Sequence, residues 1–404
     1  MNHFNVIFVA KVKLFFKKVK YMSANLFSHS FWEKKNPGIN SDICIVGGGF
    51  TAAWTAFFLS KNNPDVRITI IDAMKGSRAA STRNAGFLCY GSPSEILADI
   101  ESMGEKEAIN LLSLRVKGLG LIKKYVPDHT AEISYIGGRE FFPPFLQSLW
   151  ENTSSRLEYL NDLIEPQIGF RPYSIGKADE AFRSGNCIHI REEGVVNPAA
   201  LLFFLNSEIR KRGVQIIEGT KITSIDEKQD GVKLYTESGV VFQAKKVLMA
   251  TNAFTAELIP DLPEIKPARN IVCILKSSAP LELTACYHTN EGYVYYRKAG
   301  DYLLIGGGRN WFKEEEFTSS MEVRQEVVEK LVDFAKSELF HPKFKFETFM
   351  SWSGIMGVGP EKSPVFQWAG DKVLIAARLS GMGVALCPLL GQKAAMELAK
   401  QWDE

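Results

Sequence analysis

The sequence predicts a mixed fold in two parts, α/β in one and α+β in the other, and three observations predict it. An apolar run, a glycine turn, a helical segment and a second apolar run follow one another between residues 42 and 72. Further buried-strand patterns recur far downstream, at Val214-Gln215-Ile216-Ile217 and Lys246-Val247-Leu248-Met249-Ala250, so the α/β part is assembled from distant stretches. Between residues 271 and 305 short strand patterns alternate with turns, as in an antiparallel sheet.

The first stretch opens with Ile43-Cys44-Ile45-Val46, the continuous apolar run of a buried parallel strand. Gly47-Gly48-Gly49 turns the chain, Phe50 to Lys61 is helical, and Asn62-Asn63-Pro64-Asp65 breaks the helix. Arg67 to Ile71 is a second strand, ending in Asp72. This is a βαβ unit carrying G-x-G-x-x-A at Gly47, Gly49 and Ala52. Gly47 permits the tight turn, Gly49 lets the backbone approach a pyrophosphate, and Ala52 is small enough for the helix to pack on the strand. The helix N-terminus offers partial positive charge and free donors. Asp72, twenty residues beyond Ala52, puts a carboxylate where it can bind an adenosine ribose and repel a 2′-phosphate. The unit reads as a Rossmann-type dinucleotide site; the plainer reading is a structural turn.

Gly76 to Phe87 bears on which dinucleotide. It is small and polar and carries two arginines, Arg78 and Arg83. A nicotinamide enzyme has no obvious need for it. A flavin dinucleotide is longer and must be threaded past the sheet edge, where Ser81, Thr82 and Asn84 can donate to it. An ordinary polar loop is the alternative. At these residues the sequence resembles the D-amino-acid oxidase/glycine oxidase superfamily of FAD-dependent oxidoreductases, in its γ-glutamylputrescine oxidase-like branch. That branch carries a G-A-S-G-R-N-G-G-type segment, which stands here as Ala79 to Gly86 with glycines replaced. The resemblance runs from Asp42 to the C-terminus. It implies FAD as cofactor, with Ser81, Thr82, Arg83, Asn84 and Gly86 around it.

Composition sets bounds. The chain has 404 residues, 46% hydrophobic and 23% charged, ordinary for a soluble globular protein and enough for two structural domains. With 48 basic and 46 acidic residues the net charge is +2, which gives no basis for nucleic acid or an anionic membrane as an obligate partner. The six cysteines lack metal-like spacing and the six histidines are scattered. A reduced, cytoplasmic setting and no metal site are expected. Residues 1–41 read as a disordered extension. Val6 to Ala10 is too short to span a membrane, and the lysines follow it where a secretory signal would place them before it. A basic surface helix, or translation starting at Met22, are the other readings. No later segment is long enough for a membrane span.

Along the rest of the chain, Glu95 to Tyr125 reads mostly as helix, Ile133 to Ile136 as a short strand, and Pro143 to Ile164 as helix. Asn197 is an N-cap and Pro198 the first residue of a helix reaching about Arg212, which Gly213 ends. Lys221 to Glu227, Val232 to Thr236 and Val240 to Gln243 form a meander, and Lys246 to Ala250 a separate buried strand. Pro260 to Pro267 crosses between domains. Strands follow at 271–276, 284–287, 292–296 and 302–305, then a helix from Glu322 to Leu339. Lys372 to Ala377 is a strand, and a helix starts near Ala385. A dinucleotide domain of residues 42–100, 190–265 and 345–404 and a substrate domain of residues 101–189 and 266–344 are expected.

The resemblance implies further roles. The backbone at Lys221 and Ile222 contacts adenine, and Thr251 and Asn252 lie near the cofactor. Gly381, Gly383 and Val384, in a segment similar to the superfamily's G-x-x-G-x-G turn, approach the isoalloxazine ring, where the helix N-terminus favours negative charge on the reduced flavin. No cysteine stands where sarcosine oxidases attach the flavin, so FAD is expected to be non-covalent. Strand alternation puts Tyr293, Tyr295 and Arg297 on one face. Arg297 falls on the arginine that binds the substrate carboxylate in glycine oxidase, a task suited to its planar fork. The expected reaction is oxidation of a C–N bond of an amine or amino acid by hydride transfer to flavin N5, with hydrolysis of the imine and O₂ or a carrier as acceptor. The cofactor carries that chemistry, and no acid or base is singled out. A dehydrogenase feeding a carrier or quinone, a tRNA-modifying flavin module and a non-catalytic flavin protein are the alternatives.

Overall fold

The computed structural model describes residues 40–76, 79–259 and 262–400. The expected N-terminal extension lies outside them except for its last two residues.

The first βαβ unit forms as read. β1 is Asn40–Val46, α1 is Phe50–Asn62 and β2 is Ile68–Asp72. β1 and β2 pair in parallel from Ile43 opposite Ile68 to Val46 opposite Ile71. Alternate residues of β1 enter different cores. Ile43 and Ile45 pack with α1 and with the helices Pro198–Lys211 and Gly383–Ala399, whereas Cys44 and Val46 pack toward the meander through Ile222, Val232 and Phe242. Period-two alternation on a sheet covered on both faces requires this. It explains the unbroken apolar run.

The eight-stranded first sheet has the order Val365–Trp368, Val373–Ala377, Val241–Met249, β1, β2, Gln215–Glu218, with Ile222–Lys228 and Gly231–Thr236 joined through Val241–Met249. The two strands expected at 240–243 and 246–250 are one. Its first half pairs antiparallel with Gly231–Thr236 and its second half parallel with Val373–Ala377. Lys246, which opens the second of the two expected strands, is buried and its ammonium donates to the Leu398 carbonyl at 2.9 Å.

The second sheet runs Phe346–Val358, Lys266–Ser277, Tyr302–Gly307, Val294–Ala299, Cys286–Thr289, Gly138–Phe142, Asn186–Ile190, Tyr173–Gly176. Cys286–Thr289 and Gly138–Phe142 pair in parallel within an otherwise antiparallel sheet. Pro267 belongs to a strand, opposite Gly357, so the proline-bounded crossing is shorter than expected. Tyr287 and Tyr296 stack at 5.3 Å on one face, in the core beside the helix Gln325–Phe334. His288 and Tyr295, paired in register, point to the other face.

Leucine spacing located helices but not their breaks. Residues 95–125 are two helices, Pro93–Met103 and Glu105–Tyr125, parted at Gly104 with φ +86°. Residues 147–168 are also two, Gln147–Ser155 and Leu157–Ile168. At 133–136 only Ser134 bridges, to Val195, and the strand forms instead at Gly138–Phe142. Asn197 caps its helix as expected, its Oδ1 accepting from Ala199 and Ala200 N–H at 3.1 Å. Among the described residues no helix is long and apolar enough to cross a membrane.

Candidate cofactor and substrate site

The glycine turn is held on three sides. Gly47 has φ +101°, and a Cβ there would lie 2.7 Å from the Ala250 carbonyl oxygen. Its N–H donates to the Ile71 carbonyl at 2.8 Å, and the Ala250 N–H donates to Val46 at 2.8 Å. α1 starts without a side-chain cap on its own N-cap residue, Gly49. Ser81 serves instead, its Oγ accepting the Phe50 N–H at 2.9 Å and keeping its own hydrogen to donate. Asp72 Oδ2 accepts the Gly48 N–H at 3.1 Å and Oδ1 the Met74 N–H at 3.0 Å. Burial raises the Asp72 carboxyl above its usual range against the pull of the Met74 and Gly48 N–H groups, with Glu218 adding to the rise.

From this turn a cavity of about 1950 Å³ runs to the second sheet. Ordinary ligand pockets hold roughly 300–1,000 Å³, so there is room for a long ligand and a second small one. Its walls include every residue expected at the site except Ala52, Thr82 and Arg297. Ala52 is fully buried, as its packing role demands. Thr82 Oγ1 donates to the Ala79 carbonyl at 3.3 Å.

Arg297, expected to bind a substrate carboxylate, is not among the residues that line the cavity. Strand alternation does put it on the face of Tyr295, but it lies further along the strand, behind the segment that lines the cavity. Its Nε donates to the Ala85 carbonyl at 2.8 Å and Nη1 to the Lys298 carbonyl at 3.3 Å. Burial lowers its pKa. Arg83 joins the same bracing, since its Nε donates to the Ser353 carbonyl and its own carbonyl accepts from Trp352 Nε1 at 2.8 Å. Asn84 is committed to the shape of its loop. Its Oδ1 accepts the Gly86 N–H at 2.9 Å and its Nδ2 donates to the Ser81 carbonyl at 2.8 Å.

Close to the first turn of α1, where Cys387 Sγ lies 3.3 Å from Thr51 Oγ1, the chain enters Gly383–Ala399 through a strained turn. Arg378 and Ser380 have φ +58° and +47°, and Gly381 follows at +85°. Left-handed non-glycine residues cost of order 1–3 kcal/mol each and gather at functional sites. The helix begins at Gly383, two residues before the expected Ala385, and its first turn has no side-chain cap. Gly381, Gly383 and Val384 line the cavity beside it.

A buried polar cluster beside the second-sheet end of the cavity had no signal in the sequence, because its members come from six separate segments. Glu193 is fully buried, its Oε2 3.0 Å from His288 Nε2 and its Oε1 accepting the Tyr90 N–H at 3.0 Å. Cys89 Sγ, a Glu193 oxygen and a His288 nitrogen lie within 4.8 Å of one another. Glu140, also fully buried, accepts from Ser92 Oγ and Ser94 N–H at 3.0 Å, and burial raises its carboxyl to about 7. Arg115 Nη1 reaches Glu95 Oε1 at 3.2 Å, and Lys362 pairs with Asp99. Read in line, Arg191-Glu192-Glu193 looks like a solvated charge run.

A cradle of glycines joined by one cavity to a second sheet is the architecture of a dinucleotide-dependent oxidoreductase, and comparison with known proteins agrees. The family model described as "DAO: FAD dependent oxidoreductase" matches residues 42–396, and the chain belongs to this family. Its cofactor is accordingly FAD. The chain is 25% identical over 369 residues to "Probable oxidoreductase OrdL" of Rhizobium meliloti, covering 87% of this chain and 81% of that one. It is 24% identical over 387 residues to the gamma-glutamylputrescine oxidoreductase of Escherichia coli, covering 92% and 87%. Among solved structures, glycine oxidase from Geobacillus kaustophilus shares the fold with a TM-score of 0.70 at 21% identity, over 89% of this chain and 95% of that one. L-proline dehydrogenase from P. horikoshii does so with a TM-score of 0.68 at 16% identity, over 90% and 94%.

Proposed function

We propose that this protein oxidises the C–N bond of a small amine or amino acid. The observation that carries the reading is the single cavity that joins the glycine cradle to a wall of aromatic and titratable side chains. When bound, FAD supplies the two-electron acceptor for hydride leaving the carbon next to nitrogen. The chain's own residues do the rest. The N–H groups at the start of α1 receive the pyrophosphate, with Ser81 donating beside them. Asp72 holds the ribose, and the backbone at Ile222 meets the adenine. Gly381, Gly383 and the first turn of Gly383–Ala399 face the ring system. Tyr293 and Tyr295 form the substrate wall, and Arg297 braces the 83–86 segment from behind.

Two cysteines, Cys89 and Cys387, line the cavity. Burial pushes the Cys387 thiol up to about 12 and the Cys89 thiol well above its usual value. Thiols held in this form are poor nucleophiles, which supports non-covalent FAD. All six cysteines are free, in keeping with a reducing, cytoplasmic setting. The name of the Escherichia coli relative supports an amine substrate. Turnover decides the matter. The holoenzyme, given amines and amino acids with either O₂ or an artificial electron acceptor, is expected to release the carbonyl product. Absence of product with both acceptors across the panel would overturn the reading.

A further inference from the structure

One buried pair, of which His288 lines the cavity and Glu193 lies behind it, takes no part in the dinucleotide cradle. His288 lies opposite Tyr295 in the strand register, and its ring packs edge-on against Phe87 at 5.5 Å. All three line the cavity. His288 Nε2 is 3.0 Å from Glu193 Oε2. A carboxylate at that distance fixes the hydrogen of the neutral ring on Nε2 and leaves Nδ1 with a lone pair. Nδ1 has no hydrogen-bond partner among the described residues. Glu193 is itself fixed, since its other oxygen accepts the Tyr90 N–H at 3.0 Å. A base within the cavity wall, oriented by a buried carboxylate, is the arrangement that proton transfer requires. Buried ion pairs contribute little to stability, so stability alone does not account for it.

Resting on the reading that the substrate is an amine, we propose that His288 accepts the proton of the substrate's ammonium group, with Glu193 as the positioning residue that orients the ring and stabilises the imidazolium. The transfer breaks one N–H bond of the ammonium and forms Nδ1–H. The electron pair returns to the substrate nitrogen. As hydride leaves the neighbouring carbon for FAD, that pair forms the C=N bond, so two electrons reach the oxidant and one proton rests on His288 until it passes to water. An ammonium, whose lone pair is bound to hydrogen, cannot assist the departing hydride in this way.

Several charged groups face the ring. Glu193 comes from the turn before Gly194, Glu95 from the helix Pro93–Met103, and Glu140 stands opposite His288 in the neighbouring strand. Cys89 and Cys286 flank Glu193, while Arg115 and Lys362 lie behind Glu95. Burial pulls the imidazole pKa down, but Glu193, Glu95 and Glu140 outweigh it and the net direction is upward. The ring therefore stays protonated to higher pH than an ordinary histidine, and amine oxidation should fall on the acid side as it charges.

The test is the rate of flavin reduction by the best amine substrate, measured anaerobically against pH in the FAD-loaded enzyme. For His288→Gln the neutral-pH rate should drop at least about 100-fold. Its acid limb should move up to the pKa of the substrate's own ammonium, so that activity recovers at high pH. For Glu193→Gln the limb should move to lower pH, because the group that holds the imidazolium is gone. A purely structural role would lower the rate by the same factor at every pH, and that result, or an unchanged profile in His288→Gln, overturns the inference. If His288→Gln fails to hold FAD, the direction of the Glu193→Gln shift decides alone. Wild-type flavin that no amine reduces would instead overturn the functional reading, and the inference with it.

Discussion

The Asp72 carboxylate and the Gly48 N–H are bonded at 3.1 Å, and a Cβ on Gly48 would lie 2.4 Å from Asp72 Oδ2. The middle glycine of the triplet, which the G-x-G-x-x-A pattern leaves open, is thus constrained by the acid at the end of β2. The pattern and the acid are parts of one device, in which the backbone of the turn holds the carboxylate that we propose binds the ribose.

Disturbing either partner should weaken FAD. Asp72→Ala removes a charged acceptor, at a cost of about 1–3 kcal/mol, and Gly48→Ala forces the same carboxylate aside. Titration of the apoprotein with FAD is expected to show affinity lowered roughly 5- to 150-fold for Asp72→Ala, with a loss also for Gly48→Ala. In the wild type, acid precipitation should leave all the yellow colour in the supernatant. Flavin retained in the pellet would show a covalent link.

Gly47→Ala should act on the fold before the cofactor. A left-handed φ strains the new residue by about 1–3 kcal/mol, and the Ala250 carbonyl in the way is backbone. Thermal melts of the apoprotein should show a lower Tm than for wild type. An unchanged Tm would mean that the end of Val241–Met249 yields more readily than the hydrogen bonds around Ala250 suggest.

Arg297→Lys separates bracing from substrate binding. A lysine cannot reproduce the two carbonyl contacts of the guanidinium, so the 83–86 segment should loosen. FAD affinity should fall by up to about tenfold, the worth of one or two hydrogen bonds, while KM for the amine stays near the wild-type value. A raised KM with unchanged FAD affinity would return Arg297 to the carboxylate-binding role that its position in the Tyr293–Arg297 pattern first implied.

Glu140 gives a pH signature in stability. Its folded-state carboxyl is raised to about 7 from an ordinary 4.5 by burial. Folding therefore favours the protonated form. The stability it contributes is complete below about pH 4.5 and lost as pH rises through about 7, a change of roughly 3 kcal/mol. Glu140→Gln keeps a neutral group that the hydroxyls of Ser92 and Ser94 can meet by reversing donor and acceptor. Melts from pH 5 to 8 should show the Tm of the variant varying less across this range than that of the wild type, with the variant at least as stable at pH 8. Parallel curves would contradict the assignment.

What was readable in the sequence was local. β1, α1, β2, the Asn197 cap and the cavity-lining glycines announce themselves through runs and spacings only a few residues long. The parts that the sequence did not show depend on partners far away. The stretches 240–243 and 246–250 read as two strands, and the carbonyl of Leu398 that accepts from Lys246 within the single strand lies 152 residues on. Arg297 had the right residue type on the right face, but only the position of Ala85, 212 residues earlier in the chain, shows where its guanidinium goes. Glu193 and His288 are 95 residues apart, and neither stands in a pattern that suggests the other.

The most direct test of the account is the visible flavin spectrum of the FAD-loaded protein, recorded anaerobically as glycine, sarcosine, D-amino acids, γ-glutamylputrescine and simple polyamines are added in turn. The account predicts that at least one of them bleaches the flavin band fully. A band that dithionite bleaches but every amine and amino acid leaves intact would contradict it.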